Sequence, residues 1–277
     1  MAVERLPSTG AAPLGSSGGQ KFGATPKSDS AGLPWEGRTF DAHPSEFADD
    51  DGSTPAALAE ALAGFRAGTL GAEAVVAVFP SARVLIPLLA EAGEIGFTDE
   101  GKMVDKTQEL SIVTVQAPDG RTVMPVFSSV EAMQRWNPEA RPVPSFGNRV
   151  ALAAIDDGND LVILDPTSAD TEFGLRRPVL WAIAREESYV VPWRDEAVVT
   201  DILAASGADD RVLGLRVLPG DPQARLATPE TLVEITVAPG LDQAALGEIV
   251  GALQAVWAQS EIVAERVDSL TVRFRAA

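Results

Sequence analysis

The sequence predicts an α+β protein in which a mixed-sheet N-terminal α/β lobe (residues 54–186) precedes a smaller ferredoxin-like (βαββαβ) lobe (residues 187–277). Three observations carry this prediction. Residues 1–53 show no sustained apolar periodicity, and Gly15-Ser16-Ser17-Gly18-Gly19 cannot offset its ordering entropy by burial, so a disordered or weakly ordered tail is expected there. From Thr54 to Ala184, segments with apolar residues at helical spacing alternate with short strand-like runs bounded by Pro, Gly and Asp. Beyond Ser188 the order reads strand, helix, strand, strand, helix, strand, which is two split βαβ halves.

The elements follow in chain order. Thr54 reads as an N-cap with Pro55 at the first helical position, ahead of Leu58, Leu62 and Phe65. A second helix carries Val75, Val76 and Phe79 and is stopped by Pro80. Arg83–Ile86 is strand-like, and Pro87 points to an edge or an early end. Leu110–Gln116 and Thr122–Phe127 form a hairpin about Ala117-Pro118-Asp119-Gly120, whose residue types supply the turn dihedrals. Ser128 with Glu131 reads as a capping box for a helix ending at Trp136. Helix Gly147–Asp156 closes at Gly158, strand Leu161–Leu164 closes at Asp165-Pro166, and Pro178 opens a further helix. In the second lobe, strands are expected at Tyr189–Val191, Val212–Leu218, Leu232–Ala238 and Leu270–Phe274, with helices at Asp195–Ala205 and Leu241–Trp257. Ile262–Glu265 reads as an extra strand or a wide connection, which the ideal pattern does not accommodate.

Charge and composition narrow the chemistry. A net charge of -18 at pH 7 repels polyanions, so neither nucleic acid nor an anionic membrane surface is expected as a partner. The chain has no cysteine and one histidine, His43, which rules out thiolate nucleophiles, zinc-thiolate sites and imidazole clusters. No catalytic residue, cofactor or metal is expected. No run of about 18 apolar residues occurs and no apolar h-region precedes Ser53, so a cytoplasmic location is expected.

Several motifs look functional and fail on chemistry. Leu6-Pro7-Ser8-Thr9-Gly10 spells a sortase sorting pentapeptide, but at the wrong end and without the hydrophobic span and basic tail that the reaction needs. Gly96 to Lys102 has Walker A spacing, yet Met103 replaces the magnesium-binding hydroxyl, Asp99 and Glu100 would repel phosphate, and Val104–Glu109 lacks an apolar helix face. Asp49-Asp50-Asp51-Gly52 lacks the alternating ligands of a calcium loop and reads as an acidic turn leading a helix. Asp156-Asp157 and Asp209-Asp210 read as solvated connections. Trp136, Trp181, Trp193 and Trp257 read as core residues.

Phe47–Ser53 before an Ala/Leu helix, Arg83–Pro87, Lys106–Leu110 before a strand, Asp119–Ser129, Trp136 and Leu161–Pro166 occur in an order that resembles the actinobacterial members of the SseB family. The resemblance implies the family's N-terminal domain over about Thr54 to Ala184, with a C-terminal extension after it. It implies no catalytic residues; the family is named after an enhanced-serine-sensitivity phenotype and is often labelled as linked to type III secretion. The leading expectation is therefore a non-enzymatic cytoplasmic adaptor or regulatory protein. It would bind an unidentified protein, or a second copy of itself, through Trp35, Phe40 and Phe47 in the tail and Lys106 and Phe127 in the family pattern. A small-molecule sensor for an amino acid or metabolite is the first rival. An enzyme using only carboxylate, Ser, Arg or Lys groups is the second.

Overall fold

The computed structural model describes residues 46–90, 95–97, 103–105, 110–117 and 120–277, and Asp49–Ala277 forms one compact unit of mixed α and β structure. It begins with α1 (Ala56–Arg66) and α2 (Ala72–Val78). Pro80 does not end the second helix outright but tightens it into a 3₁₀ turn, Phe79–Ser81. Thr54 does not cap α1. Pro55 holds that position, and the Thr54 hydroxyl lies 3.0 Å from the Ser128 hydroxyl instead.

Strand β1 (Arg83–Ala90) runs through Pro87 and is the centre of a sheet ordered β4-β1-β7, with β4 (Leu110–Ile112) and β7 (Arg141–Phe146) both antiparallel to it. The proline is tolerated for a geometric reason. Leu85 exchanges both backbone hydrogen bonds with Phe127 (2.8 and 2.9 Å), so Leu85 and Pro87 turn their amide positions away from β7. Pro142 and Pro144 lie opposite Pro87 and Leu85 and place their missing N–H groups on the open edge of the sheet, where a proline blunts strand addition. Between β1 and β4, β2 (Ile95–Phe97) pairs antiparallel with β3 (Met103–Asp105). The Walker-like spacing thus begins inside β2, and β3 starts at the residue after Lys102.

The expected hairpin is shared between sheets. Leu110–Ile112 pairs with β1, whereas β5 (Val115–Gln116) pairs with β6 (Thr122–Val126) across a turn closed by Ala117 N–H donating to Arg121 O at 2.9 Å. The second sheet is ordered β5-β6-β8-β9, with β8 (Leu161–Leu164) parallel to β6 and β9 (Phe173–Leu175) antiparallel to β8. Helices α3 (Val130–Trp136) and α4 (Gly147–Asp156) lie in the crossover from β6 to β8. Ser129, not Ser128, caps α3 by accepting from Ala132 N–H. Gly147 is required because a Cβ there would meet the Phe79 carbonyl oxygen at 2.0 Å. Helix α5 (Arg177–Ala184) completes the main core with Val179, Leu180 and Ile183, packed with Leu58, Val75, Phe79, Val150 and Leu164.

The C-terminal half holds α6 (Glu196–Ala204), β10 (Val212–Pro219), β11 (Thr231–Val237), α7 (Gln243–Trp257), α8 (Glu261–Arg266) and β12 (Leu270–Ala276). Its sheet is ordered β10-β11-β12, antiparallel then parallel, so the four-stranded ferredoxin-like arrangement is not completed. The missing strand is Tyr189–Val191, which has no regular secondary structure and joins no sheet. The reason is local: the Val191 carbonyl accepts from Arg194 and Asp195 N–H in a tight turn, and this turn brings Asp195 to cap α6. Ile262–Glu265 is helical as part of α8, because the Ser260 hydroxyl accepts from Val263 N–H and caps it. A separate core of Val198, Ile202, Val233, Ile235, Ile249, Leu253 and Trp257 fills the space between sheet and helices. Among the described residues, no helix is long and apolar enough to cross a membrane.

Candidate functional site

Three regions of the molecule are polar or open enough to form a site. The first lies at the carboxyl ends of the parallel pair β6 and β8. Asp165, buried and in a left-handed backbone conformation at φ 47°, accepts from Ser128 N–H at 2.7 Å and from the Ser128 hydroxyl at 2.6 Å. Burial pushes the Asp165 carboxyl above its ordinary value, while the Ser128 bonds pull the other way. Arg83 grips both oxygens of Asp50, with its Nε 2.8 Å from Oδ2 and its Nη2 2.9 Å from Oδ1, and donates to the carbonyls of Ser128 and Ser53. The acidic turn expected to lead a helix is thereby a clamp on the first lobe: Asp50 serves Arg83, and Asp51 accepts from Ser53 N–H at 2.8 Å. Every polar group of this cluster has a protein partner, which makes it structural.

The second region is a cavity of about 170 Å³. Phe65, Val76, Phe173, Val179 and Trp193 supply much of its apolar lining, and Phe65 and Phe173 meet edge-to-face at 5.2 Å. One end is ionic. Arg176 donates to Asp221 at 2.7 Å, Asp268 at 3.0 Å, Ser269 Oγ at 3.2 Å and Thr228 O at 2.7 Å. Asp268 also accepts from Arg121 at 2.8 Å, and both arginines hold its carboxyl below the usual range against the opposing effect of burial. Glu230, 5% exposed, accepts from the Tyr189 hydroxyl at 3.0 Å and from Asp268 N–H at 2.8 Å. Burial raises the Glu230 carboxyl to about 7. Burial and the adjacent Glu230 also drive the Tyr189 phenol upward. A loop from Gly220 to Pro229 roofs this region: Gly174 N–H donates to Ala224 O at 2.6 Å, and Arg66 donates to Gln223 O at 2.8 Å.

The third region is a pair of open grooves on either side of the segment after α5. One, of about 510 Å³, is lined by Pro178, Trp181, Arg185, Val190 and Arg266. The other, of about 770 Å³, is lined by Val76, Pro80, Phe146, Arg149 and Ile183. Glu187, Ser188 and Tyr189 line both. Trp181 is 41% exposed and Val190 46% exposed. Trp181 is not a core residue; it carries Arg185 over its ring at 5.3 Å. No backbone hydrogen bond is made by Ser188, Tyr189 or Val190 among the described residues. That leaves a short irregular run, apolar at Tyr189, Val190 and Val191, without a neighbouring strand.

The comparisons with known proteins bear on the first half of the chain. Residues 58–182 match the family model of the SseB protein N-terminal domain. This segment is an SseB N-terminal domain. No curated protein and no solved structure matches the chain. The SseB domain begins within α1 and ends within α5, so it includes Arg83, the Ser128–Asp165 pair and the near wall of the cavity, while Asp50 and Ser53, which Arg83 grips, precede it. Tyr189, Asp221, Glu230 and Asp268, which complete the ionic end, lie C-terminal to the matched SseB residues.

The residues picked from sequence are not brought together. Trp35, Phe40 and Lys106 lie outside the described residues. Phe47 is half-buried in a turn at residues 46–49. Phe127 is fully buried, with its ring 5.3 Å from Trp136 in a small cluster with Leu85 and Met133. It is a core side chain and offers no surface to a partner. The cavity residues escaped sequence reading because each has an ordinary local role: Arg176 precedes a helix and Asp221 sits in a Gly-Asp-Pro turn. Only Glu230-Thr231-Leu232-Val233, a carboxylate leading directly into a buried strand, carried a signal.

Proposed function

We propose that this SseB-domain protein is a non-enzymatic adaptor that binds an extended, net-basic segment of another protein along Ser188–Val190. The observation that carries this reading is the backbone of that segment, which makes no hydrogen bond to other backbone groups among the described residues and is set between two grooves with exposed Trp181 and Val190. Size favours the grooves over the cavity. Ligand clefts commonly run from about 300 to 1,000 Å³; the grooves, at about 510 and 770 Å³, fall in that range and the cavity, at about 170 Å³, does not. Main-chain pairing with an unpaired strand supplies affinity, and pockets for alternate side chains supply selectivity. Charge selects the occupant: with Glu73 paired to Arg194, Glu186 and Glu187 still outnumber Arg149 on the larger groove of a chain of net charge -18, so basic residues flanking an apolar anchor fit best.

A peptide-display selection against the full chain tests the reading, followed by fluorescence polarisation of the enriched peptides. Enriched peptides are expected to be basic with alternating apolar residues, and to bind Trp181→Ala about 10- to 30-fold more weakly, as for an aromatic hot spot worth about 2 kcal/mol. Equal binding to Trp181→Ala and Val190→Asp would place the docking surface elsewhere. Enrichment of sequences from residues 1–45 would make the chain's own N-terminus the occupant and remove the adaptor role.

A further inference from the structure

The cavity beside Glu230 has a chemistry of its own, although it shares Glu73, Val76 and Tyr189 with the larger groove. Four aromatic residues line it, Phe65, Phe173, Tyr189 and Trp193, and the carboxylates of Glu230, Asp221 and Glu73 lie among them. Aromatic side chains gathered around a carboxylate stabilise an organic cation through ring quadrupoles and direct charge attraction. The charge balance points the same way. Two arginines, Arg176 and Arg121, face three buried or half-buried carboxylates, Asp221, Asp268 and Glu230. Both Nη groups of Arg176 are directed at Asp221, Asp268, Ser269 and Thr228, so its charge is already shared between two carboxylates. Arg194 and Glu73, 3.7 Å apart, neutralise each other. With Glu230 ionised the interior is one negative charge in excess, and that charge has no cation of its own.

We propose that this cavity binds a small alkylammonium cation, held among Phe65, Phe173, Tyr189 and Trp193 and neutralised by the Glu230 carboxylate. Its volume of about 170 Å³ sets the size, since an apolar cavity of about 150 Å³ takes a guest as large as benzene. Each Glu230 oxygen accepts one hydrogen bond, from Tyr189 or from Asp268 N–H, and keeps a lone pair for an ammonium donor. Binding is linked to protons. The groups that face Glu230 are the Tyr189 phenol before α6, Arg176 before α5, Asp268 before β12, Asp221 after β10 and Glu73 on α2. A cation selects the ionised carboxylate, so association near neutral pH releases a proton from Glu230.

The test is calorimetric titration of the full chain with choline and isobutylamine, against the uncharged isostere 3,3-dimethylbutan-1-ol and the anion isovalerate. Repeating it in buffers of different ionisation enthalpy counts the protons released. One or both cations are expected to bind, the alcohol and isovalerate at least tenfold more weakly. Affinity is expected to fall about tenfold per pH unit below 7, and Glu230→Gln to lose tenfold or more. A preference for choline assigns the main hold to the aromatic residues; a preference for isobutylamine assigns it to hydrogen bonding with Glu230. Absence of binding by both cations, equal binding of the alcohol, or binding without proton release in the wild-type chain overturns the proposal. Proton release is read on the unmodified protein, so the test stands even if Glu230→Gln folds poorly.

Discussion

Replacing Arg176 with methionine probes the ionic hub that joins the SseB domain to the C-terminal half. The arginine side chain is 6% exposed and is paired with Asp221, also 6% exposed, and Asp268, 1% exposed. Methionine keeps much of the volume but removes the cation and all four donor contacts. Asp268 retains Arg121 at 2.8 Å. Asp221 retains only the backbone N–H groups of Leu226 at 2.8 Å and Arg225 at 3.3 Å, so one buried carboxylate is left without a counterion. Removing one partner of a buried pair costs about 3–5 kcal/mol, a large share of the roughly 5–15 kcal/mol that holds a typical fold together. For a unit of this size the melting temperature should fall by about 6–20 °C. Urea denaturation of the wild type, Arg176→Met, Asp221→Asn and the double variant gives the coupling. Asp221→Asn should restore part of the loss in the Arg176→Met background, because it removes the charge that methionine strands. A loss below about 1 kcal/mol, or no recovery in the double variant, would refute the view that this hub holds the two halves together.

Two further predictions concern single residues. Glu230 has its carboxyl raised from 4.5 to about 7 by burial, so its contribution to stability is fully present below about pH 4.5 and is lost as pH rises through 7. Glu230→Gln, which resembles the protonated acid, should therefore gain on the wild type by about 3 kcal/mol between pH 4.5 and pH 8; chemical denaturation across that range checks it, and a pH-independent difference would exclude a raised carboxyl. Gly147→Ala drives a Cβ toward the Phe79 carbonyl oxygen at 2.0 Å and should cost about 1–3 kcal/mol, measured as a lower urea midpoint with unchanged slope.

Local physics made several elements legible from sequence. Gly147–Asp156 and Leu161–Leu164 have the expected limits, because a glycine stop and an Asp-Pro turn act within a few residues of the chain. Caps were legible only to within a residue or so: Ser129 rather than Ser128 caps α3, since Asp165, 37 positions away, claims the Ser128 hydroxyl. Pro87 misled because its effect depends on which way the amide position faces, and Phe127 sets that across the sheet boundary. Tyr189–Val191 misled in the opposite sense. Its residues favour a strand, but Tyr189 is held by Glu230 and the Val191 carbonyl by the turn into α6.

Composition alone excludes thiol chemistry and imidazole clusters, and ordered segments from Phe47 to Pro166 were enough to point to the SseB domain. These properties are carried by residue type and short spacing, which survive without a structure. The ionic hub and the cavity are different in kind. Arg176 meets Asp221 and Asp268 over 45 and 92 positions of chain, and Tyr189 meets Glu230 over 41. Only the fold brings them together, and only burial turns Glu230 from an ordinary surface carboxylate into one that titrates near neutrality.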